Sequence, residues 1–170
     1  MRDRRALALG AALAAWVPGV ASAQGGPPGC VTPMHRQFDF WVGEWTVTDR
    51  AGTKTLGSSR ITLEDGRCAV LEHWTSVGGT TGHSINAWDP LTRQWSQDWV
   101  GSEGDVLHLR GGLVDGRMVL EGDGLSPTGG RQRNRVTWSP EPDGRVRQHW
   151  ETSVDGVTWA VVFDGYYRRR

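Results

Sequence analysis

Four short segments of the sequence place a polar side chain two residues before a tryptophan. They are Glu72-x-Trp74, Asn86-x-Trp88, Gln97-x-Trp99 and Gln148-x-Trp150. Residues two apart in a β-strand face the same side of the sheet, so each segment would present a hydrogen-bonding group beside an indole. Indoles stack on rings, and amides bond to hydroxyl and carbonyl groups. The pattern favours a wet cavity for a small, partly polar, ring-bearing molecule.

The same pattern also has a purely structural interpretation. A buried amide or carboxylate without a partner costs about 1–3 kcal/mol. The four polar groups therefore either satisfy one another inside a filled barrel or line a cavity. To the candidate cavity wall we add Trp45, and also Arg135, whose guanidinium would hold a ligand carboxylate in bidentate fashion.

Glu72 is the residue best suited to catalysis. An inward carboxyl group in apolar surroundings has a raised pKa, which suits a general acid or base in isomerisation, hydration or cyclisation. Arg135 would then stabilise a developing oxyanion. The alternative is a buried ion pair between Glu72 and Arg135 with no catalytic role.

These candidate residues lie on short β-rich segments separated by turns. The hairpin signal Asp-Gly occurs at 65–66, 115–116, 143–144 and 155–156. Glycine and proline pairs mark further turns, which gives about ten antiparallel strands in sequential order. An open sheet of this length would curl, and closure removes its exposed edges. The sequence therefore predicts an all-β, single up-and-down antiparallel β-barrel, preceded by a short helix from Thr32-Pro33 to about Val42.

Hairpin pairing around 65–66, 90–93 and 115–116 predicts which side chains face inward. The inward set is Ile61, Leu63, Cys68, Val70, Glu72, Trp74, Ser84, Asn86, Trp88, Trp95, Gln97, Trp99, Leu107, Leu109, Leu113, Met118 and Leu120. His73, His83 and His108 then point outward, and Arg110 lies opposite Glu121 on the outer face.

The last three strands are assigned from the turn at 143–144. Their predicted inward residues are Arg133, Arg135, Thr137, Val146, Gln148, Trp150, Thr152, Trp159, Val161, Phe163 and Tyr167. The opposite face holds Trp138, His149, Val162 and Tyr166. A single bulge would exchange the two faces.

Several longer motifs indicate a family. FDFWVGEW (38–45) carries a Gly-x-Trp at the entry to the first strand, as calycin barrels (lipocalins and fatty-acid-binding-type proteins) do. The wider set is HRQFDFWVGEW (35–45), LEHW (71–74), AWDP (87–90), RQHWE (147–151) and FDGYYRR (163–169). Together they resemble an uncharacterised bacterial family known only as a domain of unknown function. The resemblance implies a calycin-like barrel and brings no catalytic or binding residue.

The histidines do not form a metal-binding motif. His35, His73, His83, His108 and His149 lie on separate segments, without His-x-His or His-Glu-x-x-His spacing. We therefore expect no metal and no resident cofactor. Some barrels similar to fatty-acid-binding proteins hold haem through one histidine near the C-terminus. That alternative needs His149 to face inward.

The N-terminus has the pattern of an export signal. An apolar run of about fifteen residues follows Arg2–Arg5, and Ala21-Ser22-Ala23 supplies small residues for signal peptidase. The run is shorter than the ~20 residues of a bilayer span. We predict a signal peptide over 1–23 cleaved before Gln24, a linker over 24–31 and a barrel domain over 32–170. The mature protein would be periplasmic or secreted.

The two cysteines and the charge balance indicate a disulfide and a partner other than nucleic acid. Cys30 and Cys68 form an even pair, which in an oxidising compartment is most simply a disulfide, the alternative being two free thiols. Nineteen basic and nineteen acidic residues give a formal net charge of zero, which argues against nucleic acid held by bulk charge. The expected partner is a small molecule.

Overall fold

Short amphipathic segments and tight turns build ten antiparallel strands in the computed structural model, which describes residues 29–170. The strands are β1 (Gly43–Thr48), β2 (Thr55–Glu64), β3 (Ala69–Ser76), β4 (Thr81–Asp89), β5 (Gln94–Gly101), β6 (Val106–Val114), β7 (Arg117–Leu125), β8 (Arg131–Pro140), β9 (Val146–Ser153) and β10 (Ala160–Arg169). Each strand pairs with the next, and β1 pairs with β10 to close the barrel. The predicted up-and-down barrel is confirmed. The predicted signal peptide and residues 24–28 of the linker lie outside the described residues.

The predicted inward faces of β2 to β7 are confirmed, although β2 and β3 pair two residues away from the register that a two-residue turn at 65–66 would give. Ile61 pairs with Glu72, Asn86 with Gln97, and Leu113 with Met118. Side chains alternate between the two faces of each strand, so these pairs place most of the predicted apolar set inside the barrel. Leu113, at the end of β6, is the exception and is 41% exposed. Arg110 pairs with Glu121 on the outer face, also as predicted.

The register predicted for β8 against β9 is wrong by one residue. The prediction took Asp143-Gly144 as a two-residue turn, which would pair Pro142 with Arg145. Proline has no N–H for that ladder bond, and the structure instead pairs Pro140 with Val146 around a five-residue loop. Because one residue of slip reverses every side chain, Arg133, Arg135 and Thr137 face outward. Their places on the inner face are taken by Asn134, Val136 and Trp138.

The predicted face of β10 is correct only for its second half. Phe163 and Tyr167 pair with the inward residues Trp150 and Val146. A bulge at Val162 breaks the register between Val161 and Phe163. Val161 therefore faces outward, opposite Glu151. Trp159 lies outside as well, with the Arg135 guanidinium 3.8 Å from the centre of its ring.

One end of the barrel is filled by the segment that precedes β1, which we call the plug. The plug comprises the 3-10 turns Pro33–Arg36 and Asp39–Trp41, where the sequence predicted a short helix. Phe38 stacks on Trp41 at 5.0 Å and meets the rings of Trp95 and Trp138 edge-on at 5.6 and 5.2 Å. All four rings are buried. These rings form a buried aromatic cluster at this end of the barrel.

A disulfide ties the plug to the barrel. Cys30 is bonded to Cys68, at a sequence separation of 38 residues, as the even cysteine pair predicted. Closing a loop of this length stabilises the fold by about 4 kcal/mol through lost entropy of the unfolded chain. Asp39 adds ion pairs to Arg36 at 3.2 Å and Arg67 at 3.6 Å. The plug is thus fixed to the turn between β2 and β3.

The two ends of the barrel differ in what occupies them. We call the end that holds the plug the plugged end. The opposite end, bordered by loops 49–54, 77–80, 102–105, 126–130 and 154–159, is the mouth. Within residues 29–170, no helix has the length and apolar character needed to cross a bilayer.

Candidate ligand-binding cavity

The mouth half of the barrel encloses a cavity of about 590 Å³. Ten antiparallel strands make a barrel wide enough to leave such a space where large side chains do not fill it. The lining residues are Asp49, Lys54, Leu56, Glu72, Trp74, Ser76, Gln97, Trp99, Leu107, Val136, Gln148, Trp150, Val162, Phe163, Asp164 and Tyr167. Side chains fill the plugged half of the barrel, and the space lies in the mouth half.

Three indoles form the apolar wall of the cavity, and hydrogen bonds orient two of them. Trp99 Nε1 donates to Asp105 at 2.7 Å, and Trp150 Nε1 donates to Asn134 Oδ1 at 3.0 Å. Trp74 meets the Phe163 ring edge-on at 5.8 Å. These contacts present flat apolar faces to the interior, which suits ring stacking.

Glycines on neighbouring strands make room for these rings. A Cβ on Gly82 would overlap the Trp99 ring, and one on Gly57 would lie 2.6 Å from the Trp74 ring. Each of these added Cβ atoms would be far closer to the ring than a normal van der Waals contact allows. Two indoles therefore lie against the sheet only because the strand beneath them carries no side chain at these positions.

Glu72 lies at the inner end of the cavity and is 3% exposed. Ser59 Oγ donates to its Oε1 at 2.9 Å, and Ser84 Oγ donates to its Oε2 at 3.4 Å. Tyr167 Oη lies 3.3 Å from Oε1. Burial raises the pKa of the Glu72 carboxyl to about 7, although the hydrogen bonds from Ser59, Tyr167 and Ser84 act to lower it. The carboxyl group thus has the raised pKa that the sequence predicted.

Tyr167 links Glu72 to Gln148. Its hydroxyl contacts both Glu72 Oε1 and Gln148 Oε1, but a phenol carries one proton and donates one hydrogen bond. The single hydroxyl proton of Tyr167 is therefore shared between the Glu72 and Gln148 oxygens. Burial, followed by the charge of Glu72, raises the pKa of Tyr167 well above its ordinary value.

A second set of hydrogen bonds joins β3, β4 and β5. Asn86 Nδ2 donates to the Val70 carbonyl at 2.9 Å and to Ser84 Oγ at 3.0 Å. Gln97 Nε2 donates to Asn86 Oδ1 at 2.9 Å. Among the described residues, Gln97 Oε1 and Gln148 Nε2 have no protein partner. The cavity therefore offers one free acceptor and one free donor.

Six of the ten sequence-predicted binding residues line the cavity. They are Glu72, Trp74, Gln97, Trp99, Gln148 and Trp150. Asn86 lies behind the wall and holds Gln97. Trp45 and Trp88 pack in the plugged half, where Trp45 Nε1 donates to the Trp41 carbonyl at 2.9 Å.

Arg135 is the binding residue that the prediction placed on the wrong face. Its Nε lies 2.7 Å from Glu121 Oε1, on the outer face, because of the longer β8–β9 loop. It therefore forms no ion pair with Glu72 and holds no carboxylate in the cavity. Catalysis by Glu72 stays a prediction, now without Arg135 as its partner.

His149 also lies outside the barrel. Its ring nitrogens are 3.6 Å from Glu151 Oε1 and 3.7 Å from Asp164 Oδ1. The haem-binding alternative required an inward His149 and is wrong for this fold. His73 and His83 pair across β3 and β4 with ring centres 4.6 Å apart, outside the barrel as predicted. In the part of the chain that the structure describes, no group of three or more metal-ligating side chains is found.

The aliphatic lining of the cavity was not predicted from the sequence. Leu56 and Val136 border it, together with Lys54 at the mouth. Leu107, Phe163 and Tyr167 were predicted to face inward but were not assigned to the wall. The polar-x-Trp pattern identifies only polar residues and indoles. It does not show at which residue of each strand the filled half of the barrel ends and the cavity begins.

Comparison of the sequence with protein-family models and with curated proteins finds no match. The resemblance to an uncharacterised bacterial family stays a prediction. Function is therefore inferred from the fold and the cavity alone.

Proposed function

We propose that this protein is an exported, calycin-like barrel that binds a small, partly polar, ring-bearing ligand. The observation that supports it is the cavity of about 590 Å³, in which three indoles surround two amides. A volume of this size is typical of small-molecule sites, which are mostly apolar with a few placed polar groups.

Several features support binding rather than a structural role. The free Gln97 Oε1 and Gln148 Nε2 sit among apolar side chains, where unpaired polar atoms are costly unless water or a ligand bonds to them. The disulfide supports export, since such bonds persist in oxidising compartments. The predicted cleavage before Gln24 agrees with that compartment.

Filling the cavity tests the proposal. Leu107→Trp introduces an indole into the cavity, whereas Val106→Trp places the same side chain on the exposed face one residue earlier. The probe is N-phenyl-1-naphthylamine, an uncharged ring compound that fluoresces in apolar surroundings. We expect wild type and Val106→Trp to bind it alike, and Leu107→Trp to bind at least tenfold more weakly.

Two outcomes would count against the proposed function. Equal dye binding by the wild type and Leu107→Trp would place the dye elsewhere. No binding by the folded wild type would contradict a usable cavity. Circular dichroism of each variant checks that the barrel is retained.

A further inference from the structure

The charged groups around the cavity are distributed unevenly. Four of the lining residues carry a carboxyl or amino group, namely Asp49, Lys54, Glu72 and Asp164. Lys54 and Asp49 belong to the 49–54 loop at the mouth. Asp164 is neutralised by Arg147, whose Nε and a terminal nitrogen lie 2.7 and 2.9 Å from its two oxygens. Glu72 alone occupies the inner end.

Within residues 29–170, no positively charged side chain contacts the Glu72 carboxyl group. Arg135 lies on the outer face, and Lys54 lies at the mouth. The groups that face the carboxyl are Ser59 from β2, Ser84 from β4 and Tyr167 from β10. Of these only Tyr167 is titratable, and it is uncharged at neutral pH. A buried carboxylate without a counter-charge is costly, so a ligand cation would supply what the protein lacks.

The wall of the cavity suits the same kind of ligand. Trp74, Trp99 and Trp150 line it together with Phe163 and Tyr167. The faces of aromatic rings attract ammonium groups, and tryptophan does so best. A carboxylate at the inner end would find one donor in Gln148 Nε2, but it would also meet ring faces, the Gln97 carbonyl oxygen and the charge of Glu72.

We propose that the cavity binds ring-bearing amines, whose ammonium group enters first and pairs with Glu72. This proposal rests on the proposed function and names its ligand class. An inward Arg135 would have favoured ligands that carry a carboxylate. Because Arg135 lies on the outer face, the cavity favours amines instead. For one ring system, the affinity order is amine, then alcohol, then carboxylic acid.

Three compounds that share a naphthalene ring test the order directly. They are 2-(1-naphthyl)ethylamine, 2-(1-naphthyl)ethanol and 1-naphthylacetic acid. At pH 8, calorimetric titration of the wild type should give an affinity for the amine at least tenfold above that for the alcohol. The acid should bind more weakly than the alcohol.

Glu72→Gln identifies the group responsible. This variant keeps a hydrogen-bonding side chain of the same length and removes the charge, so the amine should lose its advantage over the alcohol. Glu64→Gln, on the exposed end of β2, is the matched control and should leave the order unchanged. In the wild type, affinity for the amine should rise severalfold from pH 6 to pH 8, as Glu72 releases its proton. That pH dependence uses unmodified protein and tests the proposal even where Glu72→Gln is poorly folded.

The outcomes separate this proposal from the proposed function. Equal binding of the three compounds, tighter binding of the acid, or an amine preference that persists in Glu72→Gln would overturn the amine proposal and leave a binding barrel. Binding of N-phenyl-1-naphthylamine without any binding of the amine would do the same. Failure of the dye and of all three compounds would overturn both proposals.

Discussion

Glu72 combines burial, a cavity position and hydrogen bonds from three strands. Ser59, Ser84 and Tyr167 all contact its carboxyl group, so it couples β2, β4 and β10 through one side chain. The same position costs solvation when the group is charged. Burial therefore favours the neutral carboxyl group, against the hydrogen bonds that favour the charged form.

The raised pKa of Glu72 predicts a dependence of stability on pH. The native pKa of about 7 exceeds the ordinary value of 4.5, so between these pH values the native state holds a proton that the unfolded state has lost. The stabilisation is fully present below pH 4.5 and is lost as the pH rises through 7. The linkage amounts to at most about 3 kcal/mol.

Urea unfolding at pH 4.5 and pH 8 checks this prediction. Relative to Glu72→Gln, the wild type should lose up to about 3 kcal/mol of unfolding free energy across that range. The exposed Glu64→Gln should follow the wild type. If the wild type and Glu72→Gln change in parallel, Glu72 titrates alike in the folded and unfolded chains.

Among the elements, the plug closes one end of the barrel and leaves the other end open. Phe38 and Trp41 contribute rings that no strand supplies, and they pack on Trp95 and Trp138 from β5 and β8. The disulfide adds its stabilisation by restricting the unfolded chain rather than by packing. The two contributions are therefore separable.

A double-mutant cycle tests that separation. Phe38→Ala should cost about 3–5 kcal/mol, as large-to-small changes in an aromatic core do. Replacing Cys30 and Cys68 together by serine should cost about 4 kcal/mol. We expect the combined variant to lose the sum within about 0.5 kcal/mol, measured by denaturant unfolding. A much smaller combined loss would mean that the disulfide acts mainly by holding the plug in place.

The inward face of a strand is predicted correctly where the residues of the adjoining turn fix the pairing of the two strands. The turns at 65–66, 90–93 and 115–116 gave the right faces for β2 to β7, and so for Glu72, Gln97 and Trp99. Pro142 lengthened the next loop and the bulge at Val162 shifted β10. Both features depend on how neighbouring strands pair, which a local pattern does not encode. Arg135 was misplaced for that reason, while Gln148 and Trp150 kept their predicted inward face and His149 its predicted outward face.

Across the whole molecule, the buried aromatic cluster lies at the plugged end and the cavity lies toward the mouth. Each strand passes through both halves, so one strand holds well-packed and cavity-lining residues. On β3 these are Val70 and Trp74, and on β5 they are Trp95 and Trp99. Local opening of the mouth exposes little core, whereas opening of the plugged end breaks the aromatic cluster.

Amide hydrogen exchange should differ between the two ends. The amides of Val70 and Trp95 should exchange at least tenfold more slowly than those of Trp74 and Trp99, which face the same side of the same strands. A bound ring compound should slow the mouth amides and leave the plugged end unchanged. Uniform rates along each strand would indicate that the barrel opens as one unit.

Both ends of the described chain lie on the same side of the barrel. Cys30 is fastened to Cys68 at the plugged end, and Arg169 at the end of β10 pairs with Trp45. The Arg170 N–H donates to the Glu44 carbonyl at 3.1 Å, beside the same end. A solid support or fused reporter joined at residue 29 or residue 170 would stand away from the cavity. Attachment at these residues would therefore leave the mouth directed toward the solution.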